Sequence, residues 1–237
     1  MKTVVILQAR FSSTRLPGKV LKVVRDQSIL GWMIRLCKLI DGVDEVCVAV
    51  PEGAVHEGVA AEARRLGASV AYGPEYDVLA RFLIAARQTN ADIVMRITTD
   101  CPLADPAIAS DLLRIFKEDQ ADYGSNNDPF SFPHGLDCEV FTRSVLERAA
   151  DEAKDPYERE HVTPWMKKNV HLKKVHLHGP GGEMVSWRWT VDTPDDLEFF
   201  EAVAKHFDHA PGWKEIVAVL EANPELHDLN RNSRSRG

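Results

Sequence analysis

The sequence predicts an α/β fold: a Rossmann-like, mostly parallel sheet with helices on both faces and an inserted excursion. Short β-branched runs alternate with longer amphipathic segments through the first half of the chain, which is the pattern of βαβ units. The loop after the first run is dense in cations and hydroxyls, as at the carboxyl ends of strands where open α/β sheets bind ligands. A length of 237 residues favours one domain with an excursion over two equal domains, so a single domain is expected at 1–229, with the excursion at roughly 124–178.

In chain order, strands are expected at 3–9, 44–50, 68–72 and 92–97. Between them, Ile29, Met33, Leu36 and Ile40, then Val55, Val59, Ala63 and Leu66, then Val78, Phe82 and Ala85 recur at helical spacing. Asp105-Pro106 reads as an N-cap followed by proline at the first helical position, opening a helix that carries Ile108, Leu112 and Phe116. The alternation breaks at 124–135, a run of turn-formers with interspersed aromatics that is too long for a tight connection and marks the substrate excursion. A strand at 136–142, helices from Arg143 and Tyr157, strands at 172–178 and 184–191, and helices after Pro194 and Pro211 complete the pattern. The end, 230–237, is polar and basic without apolar periodicity; it reads as a frayed or disordered tail, or alternatively as an RNA contact.

Composition narrows the function classes. With 44% hydrophobic and 27% charged residues the chain is an ordinary globular protein. Cys37, Cys47, Cys101 and Cys138 form no C-x-x-C pair, which fits reduced thiols and a cytoplasmic setting better than a disulfide frame or a zinc knuckle. The opening Met1-Lys2-Thr3 runs directly into Val4-Val5-Ile6-Leu7, a first strand rather than a signal-peptide core, and no apolar stretch is long enough to span a bilayer. A net charge of −7 opposes a general nucleic-acid surface but leaves room for a locally basic cleft.

That cleft is expected in Gln8-Ala9-Arg10-Phe11-Ser12-Ser13-Thr14-Arg15-Leu16-Pro17-Gly18-Lys19. Arginine forks onto phosphate oxygens, lysine supplies a mobile point charge, and backbone N–H groups around Ser12 to Thr14 can form an anion nest. The spacing matches neither the P-loop nor the dinucleotide fingerprint. The bland alternative is a solvated basic loop.

Q-A-R-x-S-S-T-R-L-P-G-K resembles the N-terminal signature of the cytidylyltransferases that make CMP-linked acidic sugars, the CMP-Kdo synthetases and acylneuraminate cytidylyltransferases among them. The likeness is greatest to the spore-coat-polysaccharide (SpsF-like) branch, where this stretch is followed in order by G-L-D-x-E-V, R-E-H-V-T-P and V-D-T-P-x-D-L; here these begin at Gly135, Arg159 and Val191. The resemblance spans about 3–197 and implies a nucleotidyltransferase, glycosyltransferase-A-like form of the fold, with CTP and a small acidic acceptor as partners, Mg²⁺ as cofactor and a homodimer. It implies a nucleotide set of Ala9, Arg10, Ser12, Ser13, Thr14, Arg15, Lys19 and Thr99, with Arg10, Arg15 and Lys19 acting on the triphosphate.

The carboxylates follow the same logic. Asp100 lies on the loop after the strand at 92–97, where one or two carboxylates suit Mg²⁺ that keeps water and phosphate as its other ligands; alone, it also reads as a turn aspartate. In Asp192-Thr193-Pro194-Asp195-Asp196, a helix start uses Thr193 to Asp196 and leaves Asp192 unassigned. Alternation across 186–192 puts Trp187, Trp189 and Val191 on one face and Arg188, Thr190 and Asp192 on the other. The resemblance implies Asp100 and Asp192 as the two metal ligands.

Arg81 reads either as a nucleotide contact or as an exposed helix-surface arginine. His134, Asp137, Glu139, Arg159 and His161 form the expected acceptor side: Arg159 to fork onto a carboxylate, Asp137 and Glu139 to project to one strand face and bind hydroxyls or amines. The alternative for them is a polar network between subunits. The Kdo and neuraminate branches carry a glutamine or similar side chain before the metal aspartate where this chain has Thr98-Thr99, so contacts to base and sugar differ there. His171, His176, His178, His206 and His209 lack partners at ligand spacing. The reaction expected is attack of an acceptor oxygen on the α-phosphorus of CTP with loss of pyrophosphate. Its rivals are a sugar-1-phosphate nucleotidylyltransferase using another nucleotide, and a nucleotide-binding regulator without chemistry.

Overall fold

The computed structural model describes residues 1–233. The first strand, β1 (Thr3–Gln8), is apolar on both faces, as a strand covered on both sides must be. A short hairpin, β2 (Val23–Val24) and β3 (Gln27–Ser28), leads into α1 (Ile29–Cys37). Then β4 (Glu45–Pro51), α2 (Glu57–Arg65), β5 (Ser69–Gly73), α3 (Val78–Gln88), β6 (Ile93–Thr98) and α4 (Pro106–Glu118) alternate as expected. The second half adds β7 (Tyr123–Ser125), β8 (Glu139–Thr142), α5 (Arg143–Glu152), α6 (Pro156–His161), α7 (Pro164–Lys168), β9 (Lys174–His176), α8 (Pro194–Ala204) and α9 (Trp213–Ala222).

Seven strands make one sheet in the order β5-β4-β1-β6-β8-β7-β9, and only β8 runs antiparallel to its neighbours. Strand alternation divides the core in two. Val5 and Leu7 of β1, Val46 and Val48 of β4, and Met95 and Ile97 of β6 meet Trp32, Leu112 and Phe200 from α1, α4 and α8. Val4, Ile6, Cys47 and Val94 meet Phe82 of α3 and Leu146 of α5 on the opposite face. Local chemistry starts the helices at the expected places. Asp77 accepts from Ala80 N at 3.0 Å, Asp105 from Ala107 N at 2.7 Å, and Thr193 with Asp196 makes a reciprocal capping box at α8.

The second half departs from the sequence reading in three ways. Beside the strands expected at 136–142 and 172–178, observed as β8 and β9, the sheet holds an unexpected β7, a three-residue Tyr-Gly-Ser strand too short to show a period. The strand expected at 184–191 is a 3-10 turn, Gly182–Ser186, followed by extended chain that pairs through a bridge between His134 and Arg188. Positive φ at Gly181 and Gly182 turns the chain there, so the alternation of Trp187, Trp189 and Val191 reflects burial against the core rather than a ladder. Finally, Asn230, expected to open a disordered tail, is 3% exposed and hydrogen-bonded into the molecule; 234–237 lie outside the described residues. Among the described residues no helix is long and apolar enough to cross a membrane, and the four cysteines are buried and unpaired.

Candidate active site

The basic loop leaves β1 at Ala9, whose N–H still pairs with Ala49 O at 3.1 Å. Beyond it the chain curls on itself: Ser13 N and Gly18 N both donate to Phe11 O, at 2.9 and 3.0 Å. Gly18 has φ +66°, and a Cβ there would stand 2.9 Å from the Phe11 ring, so both the conformation and the space call for glycine. Behind the loop, Nδ1 of the buried His56 accepts from Phe11 N at 3.2 Å, and the Ser12 hydroxyl donates to Glu75. Leu16 and Val20 anchor its far end in the core. Arg10, Thr14 and Arg15 are left exposed at the cleft while Lys19 is drawn inward.

Lys19 meets both expected carboxylates. Its ammonium donates to Asp192 Oδ1 at 2.8 Å and Val191 O at 2.9 Å, and lies 3.7 Å from Asp100 Oδ2. Arg15 Nη2 is 3.3 Å from Asp192 Oδ1, and Arg188 Nη2 donates to Asp192 Oδ2 at 2.7 Å. The two carboxylate loops are stitched by backbone, Val191 N donating to Asp100 O at 2.7 Å, and the Thr99 hydroxyl ties the Asp100 loop to the end of β1 by donating to Gln8 O at 2.8 Å. Burial pushes the Asp100 carboxyl upward, but the Lys19 ammonium and the Thr98 hydroxyl outweigh it and hold it below the usual carboxylate range.

This donor set fits a magnesium ion. A single positive charge already spans Asp100 and Asp192, and no group of three or more His, Cys, Asp and Glu side chains able to hold a metal occurs among the described residues. Two carboxylates facing an open cleft suit a small hard cation that takes its remaining ligands from water and phosphate, and do not suit zinc.

The cleft encloses about 480 Å³ and extends from the carboxylate pair beneath the start of α3 to α6, where His161 and Glu160 face it. Ala9, Arg10, Ser13, Thr14, Arg15, Lys19, Arg81, Thr99, Asp100 and Asp192 all line it; Ser12 does not, being turned toward Glu75. Arg81 is 2% exposed, so it is no helix-surface arginine. It donates to the carbonyls of Pro74 and Glu75 and so props the turn that walls the cleft, while its Nε has no partner among the described residues. Burial, with Arg10 adding, lowers its pKa to about 10 against the pull of Glu75 and Asp77. His161 packs against Tyr157 with ring centroids 4.4 Å apart and the planes tilted by 48°, and burial lowers its pKa, with Arg96 adding and Glu160 opposing.

The acceptor side expected from sequence does not assemble as one surface. Arg159 Nε donates to Asp77 Oδ2 at 2.8 Å and its Nη1 to Ala150 O and Ala153 O, both at 3.0 Å; the guanidinium ties α6 to the cap of α3 and does not line the cleft. Glu139, 1% exposed, accepts from Tyr123 Oη at 2.6 Å, Thr163 Oγ1 at 2.8 Å and Arg96 Nη1 at 2.6 Å, with Lys167 Nζ 3.1 Å away. Its oxygens are committed to the protein, so it is not open to a sugar hydroxyl. Burial raises its pKa, but Arg96 and Lys167, with the two hydroxyls, bring it down to about 2. Asp137 accepts from Gly135 N at 2.9 Å and stands 3.9 Å from His134, which lines a separate hollow beside Trp187.

Arg96 was given no place in the site by the sequence reading. Arg96 lines the cleft beside Gln8, whose Oε1 accepts from its Nε at 3.3 Å. The signal for it was present: Val94 and Arg96 share one face of β6, opposite Met95 and Ile97.

Comparison with known proteins gives the family and the fold. Residues 4–221 match the family model described as cytidylyltransferase. An uncharacterized protein of Methanocaldococcus jannaschii is 33% identical over 239 residues, covering 100% of this chain and 97% of its own. The spore coat polysaccharide biosynthesis protein SpsF of Bacillus subtilis is 26% identical, covering 93% and 94%. Among solved structures, a cytidylyltransferase from Leptospira borgpetersenii superposes with TM-score 0.90 at 32% identity, covering 95% of this chain and 96% of that one. A CMP:2-keto-3-deoxy-manno-octonic acid synthetase complexed with CTP shares the fold, with TM-score 0.65 at 18% identity over 87% and 99%. The chain belongs to the cytidylyltransferase family.

Proposed function

We propose that this cytidylyltransferase joins CMP from CTP to a small acidic acceptor, an acidic sugar or a related acid, in a Mg²⁺-dependent reaction that releases pyrophosphate. The observation that carries the reading is Lys19, whose ammonium stands between Asp100 and Asp192 where the basic loop meets the carboxylate pair. The CTP complex of the structurally similar synthetase and the polysaccharide role in the name of the Bacillus relative support the nucleotide and the acceptor class.

An acceptor oxygen attacks the α-phosphorus, forming the new P–O bond as the bond to the β-phosphate's bridging oxygen breaks; the hydroxyl proton passes to water. The residues do this work by positioning and charge rather than by covalent chemistry. Arg10 and Arg15 fork onto the triphosphate, the Thr14 N–H and the hydroxyls of Ser13 and Thr14 bind its oxygens, and Lys19 meets the charge that builds on the departing pyrophosphate. Asp100 and Asp192 would hold Mg²⁺, which supplies neutralisation of phosphate charge. Arg81 and Thr99 hold the walls of the nucleotide site, and His161 faces the same cleft. The cytosol and a homodimer belong to the same reading, the first supported by four buried unpaired cysteines.

Pyrophosphate release tests it, measured with CTP, UTP, GTP and ATP over a panel of acidic sugars and phosphonates. Release is expected with CTP and one acceptor class, and EDTA is expected to abolish it. Preference for another nucleotide would overturn the cytidylyl reading.

A further inference from the structure

Asn230 lies beyond the residues matched to the family, 4–221, in a segment whose sequence gives no reason to fold. It is nevertheless buried, and its side-chain amide spends both protons inside: Nδ2 donates to Arg188 O at 2.9 Å and to Asp196 Oδ1 at 3.3 Å. Asp196 has no exposed surface, so its charge must be met by the protein. Its Oδ1 accepts from Arg188 Nε at 3.0 Å; its Oδ2 accepts from Arg188 Nη2 at 3.2 Å and from the N–H groups of Asp192 and Thr193, both at 3.0 Å. Asp196 therefore grips Asp192 twice, at its backbone and, through Arg188, at Oδ2, while Oδ1 faces Lys19.

We propose that Asn230 is a positioning residue for Asp192, acting through Asp196 and Arg188. The C-terminal segment locks the far end of a buried polar chain whose near end is one of the two cleft carboxylates. Oδ1 is kept aimed into the cleft because the other oxygen, the backbone N–H and the guanidinium holding them are each fixed from behind. Arg188 and Asp196, one step removed from a metal ligand, are partners of the kind that set its orientation and hence its affinity, and Asn230 holds both of them. The inference rests on the reading of Asp192 as a metal carboxylate.

The test is calorimetric binding of CTP to the full chain, without acceptor, once with EDTA and once with saturating Mn²⁺. In the wild type Mn²⁺ should tighten CTP binding. In Asn230→Ala the gain should shrink about tenfold, with binding in EDTA unchanged. Ser233→Ala, which removes the neighbouring hydroxyl bonded to Thr193 at 3.0 Å, should keep the full gain. Should Asn230→Ala fail to fold, Asn230→Ser, which retains one donor, should show a smaller loss in the same direction. An undiminished gain in Asn230→Ala, an equal loss in Ser233→Ala, or parallel losses with and without metal would each overturn the proposal. A wild type with no gain would instead sink the reading of Asp100 and Asp192, and this inference with it.

Discussion

The basic loop and the Glu139 cluster are equally dense in charge, yet they use it in opposite ways. In the loop, Arg10, Thr14 and Arg15 are exposed at the cleft, and the contacts that shape it, from His56 and Glu75, come from behind. Around Glu139, Arg96, Tyr123, Thr163 and Lys167 converge on one buried carboxylate and leave it no capacity for a ligand. Both regions read as binding sites in sequence, because residue type announces what a side chain can bond but not whether the fold already supplies the partner. An open site keeps polar atoms unspent; a closed one consumes them to hold distant elements together.

The sharpest way to separate the two is mutation on each side. Lys19→Ala or Asp100→Asn should cut turnover on the order of 100- to 1,000-fold, with the melting temperature kept; turnover at the wild-type rate would break the assignment of the open site. Glu139→Leu should do the reverse in kind. It strands Arg96 and Lys167 beside a buried apolar side chain and should lower the unfolding free energy by roughly 3 to 5 kcal/mol, read in urea titration. A loss below about 1 kcal/mol would show that the cluster is not closed.

Acid should probe the same cluster more gently. Glu139 titrates at about 2 in the folded protein against 4.5 ordinarily, so the unfolded chain takes up its proton first as pH falls. The stability this carboxylate contributes is complete above pH 4.5 and is lost as pH drops toward 2, on the order of 3 kcal/mol by linkage. Glu139→Gln should flatten the stability curve in that window; an unchanged curve would assign the loss to other carboxylates. The smallest effect is expected at Arg159→Met, which cuts the tie between α6 and Asp77 at a cost of about 1 to 2 kcal/mol, with CTP affinity unchanged. Lost turnover at unchanged stability would return Arg159 to the open site.

The first half of the fold was legible because period and punctuation agree there: strands apolar on both faces, helices opened by Asp77 and Asp105-Pro106. The cleft pair was named through the family resemblance rather than through spacing, and the fold brings Asp100 and Asp192 to one lysine, Lys19. What stayed hidden depends on contacts between residues far apart in the chain. Arg159 looks free until Asp77, 82 residues earlier, is brought to it. Asn230 looks like the start of a loose end until Arg188 and Asp196 are folded beneath it. Short β7 carries too few residues to display a period, whereas the stretch after Ser186 displays one that reflects burial rather than a ladder.

The bond from Val191 N to Asp100 O has a consequence for how this cleft can change over time. It joins the neighbours of the two carboxylates through peptide groups, which every residue except proline possesses. Side chains around the cleft are thus free to drift toward new acceptors while the separation of the carboxylates is inherited intact. Specificity and spacing are written in different parts of the chain, so selection can rewrite the first without touching the second.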